Sequence, residues 1–223
     1  MSRAGARADR EDSDNYPTPR WCVGQIVRAL ERSYPDALEG TILDPCAGDG
    51  NILDVLKLSG YERLRAVELR PECEEPLVKI AGKGNVLIGD FLAERSYHQA
   101  PGTRGDLGLG SFGDEGLDGP VNVVMNPPYT LAREFVEACL DLEPVRWVTV
   151  LLRVGFLESA ERADWWPERP PVELFALQKR PSFTRDGGTD GATYGWFVWR
   201  RDVDGMLASE WPCRLSLLPH PDV

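Results

Sequence analysis

The residues best suited to chemistry stand at the ends of apolar runs. VNVVMNPPYT (121–130) passes from a buried-strand composition directly into Asn126, Pro127, Pro128 and Tyr129. Proline cannot donate to a sheet ladder, fixes its own φ and holds the preceding residue extended, so the strand must stop and the segment is stiff. The Asn126 side-chain oxygen and the Pro127 backbone carbonyl then make two convergent acceptors, matched to the two hydrogens of a planar amino group. Such bonds draw electron density onto the nitrogen and favour its pyramidal, nucleophilic form, while the Tyr129 ring offers a face for a base or amide plane. No strong general base is required if the amine loses its proton after attack. An ordinary strand-ending turn uses the same residue types, so the motif gains its weight from what surrounds it.

Three other runs deliver acids in the same way. ILDPCAGDGN (42–51) leads from a strand into a turn holding Gly48 and Gly50 and then into a helix. Glycines let backbone approach a ligand, and helix-terminal amides face the same crevice. The turn matches neither GxGxxG nor GxxxxGK[ST], and Asp44 and Asp49 would repel a phosphate; a cationic or zwitterionic ligand with a free ammonium group fits better. Glu68 ends the next strand, where a carboxylate can accept both hydroxyls of a ribose. Asp90 ends NVLIGD (85–90), where it can accept from an adenine amino group while Phe91 packs on the ring. Together the acids outline a pocket for adenosine joined to an amino acid, the outline of S-adenosylmethionine.

The elements that must position these residues follow from periodicity. Apolar runs recur at 41–48, 64–70, 85–90, 121–126 and 145–153, several of them without alternation, as in strands covered on both faces. Segments 21–34, 51–60 and 130–142 have helical apolar spacing. Alternating strand and helix signals predict an α/β fold: one Rossmann-like, doubly wound, mostly parallel sheet with helices on both faces. PVELFALQKR (171–180) and ATYGWFVWRR (192–201) predict an antiparallel C-terminal hairpin closing that sheet. Residues 1–15 read as a disordered lead-in, residues 16–223 as a single domain, and the glycine-rich segment 92–119 as a mobile surface loop.

Composition narrows the partners. No stretch approaches the roughly 18 apolar residues of a membrane span, and five scattered cysteines with only two histidines give no plausible zinc set, as for free thiols in a reducing cytoplasm. A net charge of −11 argues against broad binding to a polyanion, so a nucleic-acid substrate requires a local basic patch.

YPTP (16–19), DPCAGDGN (44–51), Glu68, GDF (89–91) and NPPY (126–129), in that order, resemble class I S-adenosylmethionine-dependent methyltransferases of the adenine-N6 branch. The resemblance implies a methionine-side loop at Asp44, Cys46, Ala47, Gly48 and Gly50, a ribose ligand at Glu68, adenine contacts at Asp90 and Phe91, and a catalytic motif at Asn126 to Tyr129. Thr18 falls at the family's N-terminal cofactor motif. The tail from Lys179 to Trp199 is similar to the closing hairpin of small phage and prophage adenine methylases. The implied acceptor is adenine in DNA; adenine in RNA, a glutamine amide in a protein, or cofactor binding without turnover are the alternatives. Unlike site-specific bacterial members, the chain leaves almost nothing for a separate target-recognition domain. Candidates to touch a substrate are 92–119 and 158–171, in which Trp165 and Trp166 either stack on bases or cap the core, with Arg169, Lys179, Arg180 and Arg185 as phosphate contacts.

Overall fold

The structure, a computed structural model, describes residues 17–93, 119–142, 145–183, 188–189, 191–202, 207 and 213–221. Strands β1 (Thr41–Asp44), β2 (Leu64–Glu68), β3 (Val86–Ile88), β4 (Val121–Met125) and β5 (Val145–Arg153) pair in parallel in the order β3-β2-β1-β4-β5. All five residues of β4 are buried, and the side chains divide between two cores: Val121, Val123 and Met125 face one layer of helix and Val124 the other. Burial on both faces explains the unbroken apolar run.

Helices α1 (Arg20–Ser33), α2 (Asn51–Leu58) and α3 (Glu74–Ala81) pack with Ile42, Ala66 and Leu151 on one face. On the other, α4 (Ala132–Leu140) and the single turn α5 (Trp165–Glu168) pack with Leu43, Val67 and Val148. The predicted doubly wound arrangement is therefore present. Strand order reverses between β1 and β4, and in an open parallel sheet a ligand crevice forms there, beyond the carboxyl ends.

The C-terminal hairpin forms, with one difference. β7 (Tyr194–Arg200) runs antiparallel between β5 and β6 (Glu173–Leu177), and β8 (Arg214–Leu218) pairs in parallel with β6. The edge at that end is β8, so the hairpin does not close the sheet. Helix α3, unanticipated from its short apolar pattern, accommodates Pro76 because the first four N–H groups of a helix have no intrahelical partner. The lead-in 1–15 lies outside the described residues, as do 94–118 of the glycine-rich segment; Leu92 and Ala93 form a helical turn capped by Asp90. Among the described residues no helix is long and apolar enough to cross a membrane.

Candidate active site

Beyond Asp44 the chain turns through Pro45–Gly50, with left-handed φ at Gly48 (+55°) and Gly50 (+84°), and enters α2. The turn is pinned from several sides. Asp44 Oδ1 accepts the Cys46 N–H at 3.1 Å, and Val67 O accepts that of Ala47 at 3.0 Å. Glu68 Oε2 accepts the Gly48 N–H at 2.7 Å, while Glu68 Oε1 accepts the backbone N–H and Nε of Arg70 at 3.0 and 2.9 Å. A carboxylate only 6% exposed thus ties the loop to the end of β2.

Asp90 Oδ1 accepts from Leu92 N and Ala93 N at 3.0 and 3.2 Å, and Phe91 stacks on Phe135 at 5.7 Å. On the opposite side, Asn126 Nδ2 donates to the Thr18 hydroxyl at 3.0 Å. Thr18 is itself held where its carbonyl accepts from Asn51 Nδ2 at 3.2 Å. Because the amide nitrogen is committed to Thr18, the rotation of the Asn126 side chain is defined, and Oδ1 is the edge turned away from Thr18.

These residues surround one cavity of about 220 Å³. Thr18, Asp44, Cys46, Ala47, Gly48, Asp49, Glu68, Asp90, Phe91, Asn126, Pro127 and Pro128 all line it. Two residues expected in the cofactor loop and the catalytic motif do not. Gly50 lies behind the loop, where an added Cβ would sit 2.6 Å from Ile80 Cδ1; its lack of a side chain serves packing rather than ligand approach. Tyr129 turns toward Tyr194 (5.8 Å), Phe183 (6.4 Å) and the Arg153 guanidinium (5.2 Å).

Burial pushes the Asp44 carboxyl up to about 7, opposed by the hydrogen bond from Cys46 and reinforced by the charge of Glu68. Burial, with the neighbouring charges of Asp44 and Glu68, also raises the Cys46 thiol well above its ordinary range, so it remains a protonated wall of the cavity rather than a nucleophile.

The residues expected to touch a substrate are dispersed. Trp165 and Trp166 are 3% and 7% exposed and pack against Phe156, Phe197 and Trp199, so of the two alternatives, stacking on bases or capping the core, the structure has the cap: residues after β5 fold back and both rings cover the sheet face. Arg169 precedes β6 and pairs with Asp141 at 3.5 Å and Glu168 at 3.7 Å, at the end of the sheet remote from the cavity. Lys179 and Arg180 follow β6 at the cavity end; Lys179 lies 5.8 Å from the Trp21 ring, and Arg180 is exposed. The basic group of the sequence is thus split across the length of a strand. Arg185 lies outside the described residues.

Two lining residues carry signals that sequence reasoning passed over. Arg70 stands two residues beyond Glu68, on the same side of an extended chain, and Asn51 opens α2 from within the DPCAGDGN motif. Arg153 ends β5 as the acids end β1 and β2.

No protein-family model and no curated protein matches the sequence. Solved structures do match in fold. A candidate RNA methyltransferase from Pyrococcus horikoshii superposes with a TM-score of 0.59 at 18% identity, over 84% of this chain and 88% of that one. An S-adenosylmethionine-dependent methyltransferase from Anabaena variabilis gives 0.52 at 13% identity, over 91% and 96%. The DNA-bound Type ISP restriction-modification enzyme LlaBIII gives 0.57 at 13% identity, over 98% of this chain and 21% of that chain. The chain has the α/β fold that these methyltransferases share.

Proposed function

We propose that the protein is an S-adenosylmethionine-dependent methyltransferase acting on the N6 amine of adenine in DNA. The observation that carries this reading is that Asn126, Pro127 and Pro128 line the same cavity as the Asp44–Asp49 loop, Glu68 and Asp90. Donor and acceptor chemistry would therefore meet in one space.

The cavity fits the cofactor on its own chemistry. A buried carboxylate at Glu68 suits a ribose diol, Gly48 brings the loop backbone to the cavity wall without a side chain, and acids at 44, 49 and 90 favour a ligand with positive charge. When bound, S-adenosylmethionine supplies an electrophilic methyl group on a sulfonium centre.

The chain's own residues do the rest. Asn126 Oδ1 and the Pro127 carbonyl accept the two amino hydrogens, which localises the lone pair on nitrogen. Thr18 fixes the amide so that its oxygen, not its nitrogen, meets the amine. The prolines keep both acceptors in place without reorganisation, and the proton leaves once the nitrogen carries the methyl group.

RNA is the second acceptor reading. It is favoured by the Pyrococcus horikoshii structure, in which the similarity extends over 88% of a candidate RNA methyltransferase. Tritiated methyl transfer, compared across duplex DNA, single-stranded DNA, RNA and protein, tests both. Label in the N6-methyl-2′-deoxyadenosine of digested DNA is the expected result. Label confined to RNA would move the assignment to the second reading, and label confined to protein would end both.

A further inference from the structure

Arg153 is the candidate the geometry carries furthest. β4 and β5 run in parallel with Met125 opposite Val150, so three residues on, the two chains reach Pro128 and Arg153. Arg153 is therefore placed beside the acceptor motif by register. Its Nε donates to the Tyr194 hydroxyl at 3.0 Å, and its guanidinium carbon lies 5.2 Å from the Tyr129 ring centre and 5.9 Å from that of Tyr194. Tyr194 is 1% exposed and belongs to the core, so the contact is anchored in the rigid sheet, while Arg153 itself is exposed.

On this relationship we infer that Arg153 binds a backbone phosphate of the nucleic-acid acceptor next to the target nucleotide, while its flat face backs the Tyr129 ring. The inference rests on the nucleic-acid reading above. A guanidinium is planar, always charged and able to meet phosphate oxygens in pairs, and it stacks on aromatic rings; both properties are used at once here. A chain with a net charge of −11 must gain its hold on a polyanion from cations placed at the site itself. Arg153 is an exposed cation at that end, whereas Arg169 pairs with acids at the far end of the sheet. Lys179 and Arg180 leave β6 at the same end of the sheet as Arg153.

The test is the salt dependence of binding of a fluorescein-labelled, adenine-containing oligonucleotide, single-stranded and duplex, measured by anisotropy for wild type, Arg153→Gln and Arg153→Lys. Each phosphate contact contributes about 0.7 (single strand) to 0.9 (duplex) to the slope of log K against log salt. Arg153→Gln is expected to reduce the slope by about that amount, so that a fourfold rise in salt costs it about threefold less affinity than it costs wild type. Arg153→Lys is expected to keep the slope and to lower kcat, because a point charge replaces the plane behind the ring. Wild-type slope in Arg153→Gln, with wild-type binding salt-dependent, would overturn the inference alone. Absence of salt-dependent binding by wild type would overturn both it and the nucleic-acid reading.

Discussion

The hydroxyl of Thr18 accepts a hydrogen bond from Asn126 Nδ2 at 3.0 Å across 108 residues of sequence. That contact joins the segment before α1 to the end of β4 and, on the proposed function, sets which edge of the amide is offered to the acceptor. Thr18→Val keeps the shape and removes the acceptor. Losing one oriented hydrogen bond of about 1.4 kcal/mol corresponds to tenfold in rate, so kcat is expected to fall at least tenfold, with Thr18→Ser close to wild type. A Thr18→Val enzyme with unchanged kcat would remove the orienting role.

Glu68 has a structural task and, on the proposed function, a binding one. Glu68→Ala orphans the Gly48 N–H and the Arg70 guanidinium and is expected to cost about 2 kcal/mol, or about 4–8 °C in Tm. Glu68→Gln keeps an acceptor for Gly48 and should recover much of that stability, but both variants should bind S-adenosylmethionine at least tenfold more weakly by calorimetry. Unchanged cofactor affinity in either variant would show that the ribose is held elsewhere.

Asp44 links pH to folding and, on the proposed function, to cofactor binding. Its carboxyl titrates at about 7 in the fold, against about 4 in an unfolded chain. Between those values the folded state holds a proton that the unfolded state has lost, so stability falls as pH rises from about 4 to 7 and levels off above. The charged form favours a cationic ligand, so cofactor affinity is expected to rise between pH 6 and 8. Asp44→Asn should flatten both profiles; it should melt higher relative to wild type at pH 8 than at pH 5. Parallel profiles for the two proteins would exclude Asp44 as the titrating group.

The two glycines of the loop divide the labour. Gly50→Ala drives a Cβ to 2.6 Å from Ile80 Cδ1 and 3.0 Å from Leu77 Cδ2, at a φ of +84°. It is expected to cost about 1–3 kcal/mol of stability. Gly48→Ala has more room, with Arg70 Nη2 at 3.6 Å as its nearest neighbour, but it places a methyl group on the cavity side. It should weaken cofactor binding more than Gly50→Ala does. Denaturant melts paired with cofactor titrations check the contrast.

Residues fixed by local rules were legible in the sequence. Strand ends and their acids follow from apolar runs meeting turn residues, and Asn126–Pro128 follow from what proline does to a ladder. What depended on chain reversal was hidden. Trp165 and Trp166 have the same composition whether they face solvent or close a core, and only the path of residues 154–168 decides between them. Arg169 and Lys179 are near in sequence but stand at opposite ends of β6, because a five-residue strand separates its ends by about 16 Å. β8 was missed because it pairs in parallel with β6, a partner set by neither a tight turn nor a crossover helix pattern. The Thr18 contact likewise has no local signature.

Asn126→Ala, with cofactor binding and single-turnover methyl transfer measured on the same preparation, tests the central claim most directly. On the proposed function the amide acts on the acceptor amine, so the variant is expected to bind S-adenosylmethionine within a few-fold of wild type and to form no detectable N6-methyladenine. Retained transfer, or cofactor affinity lost while the bound fraction turns over at the wild-type rate, would contradict the account.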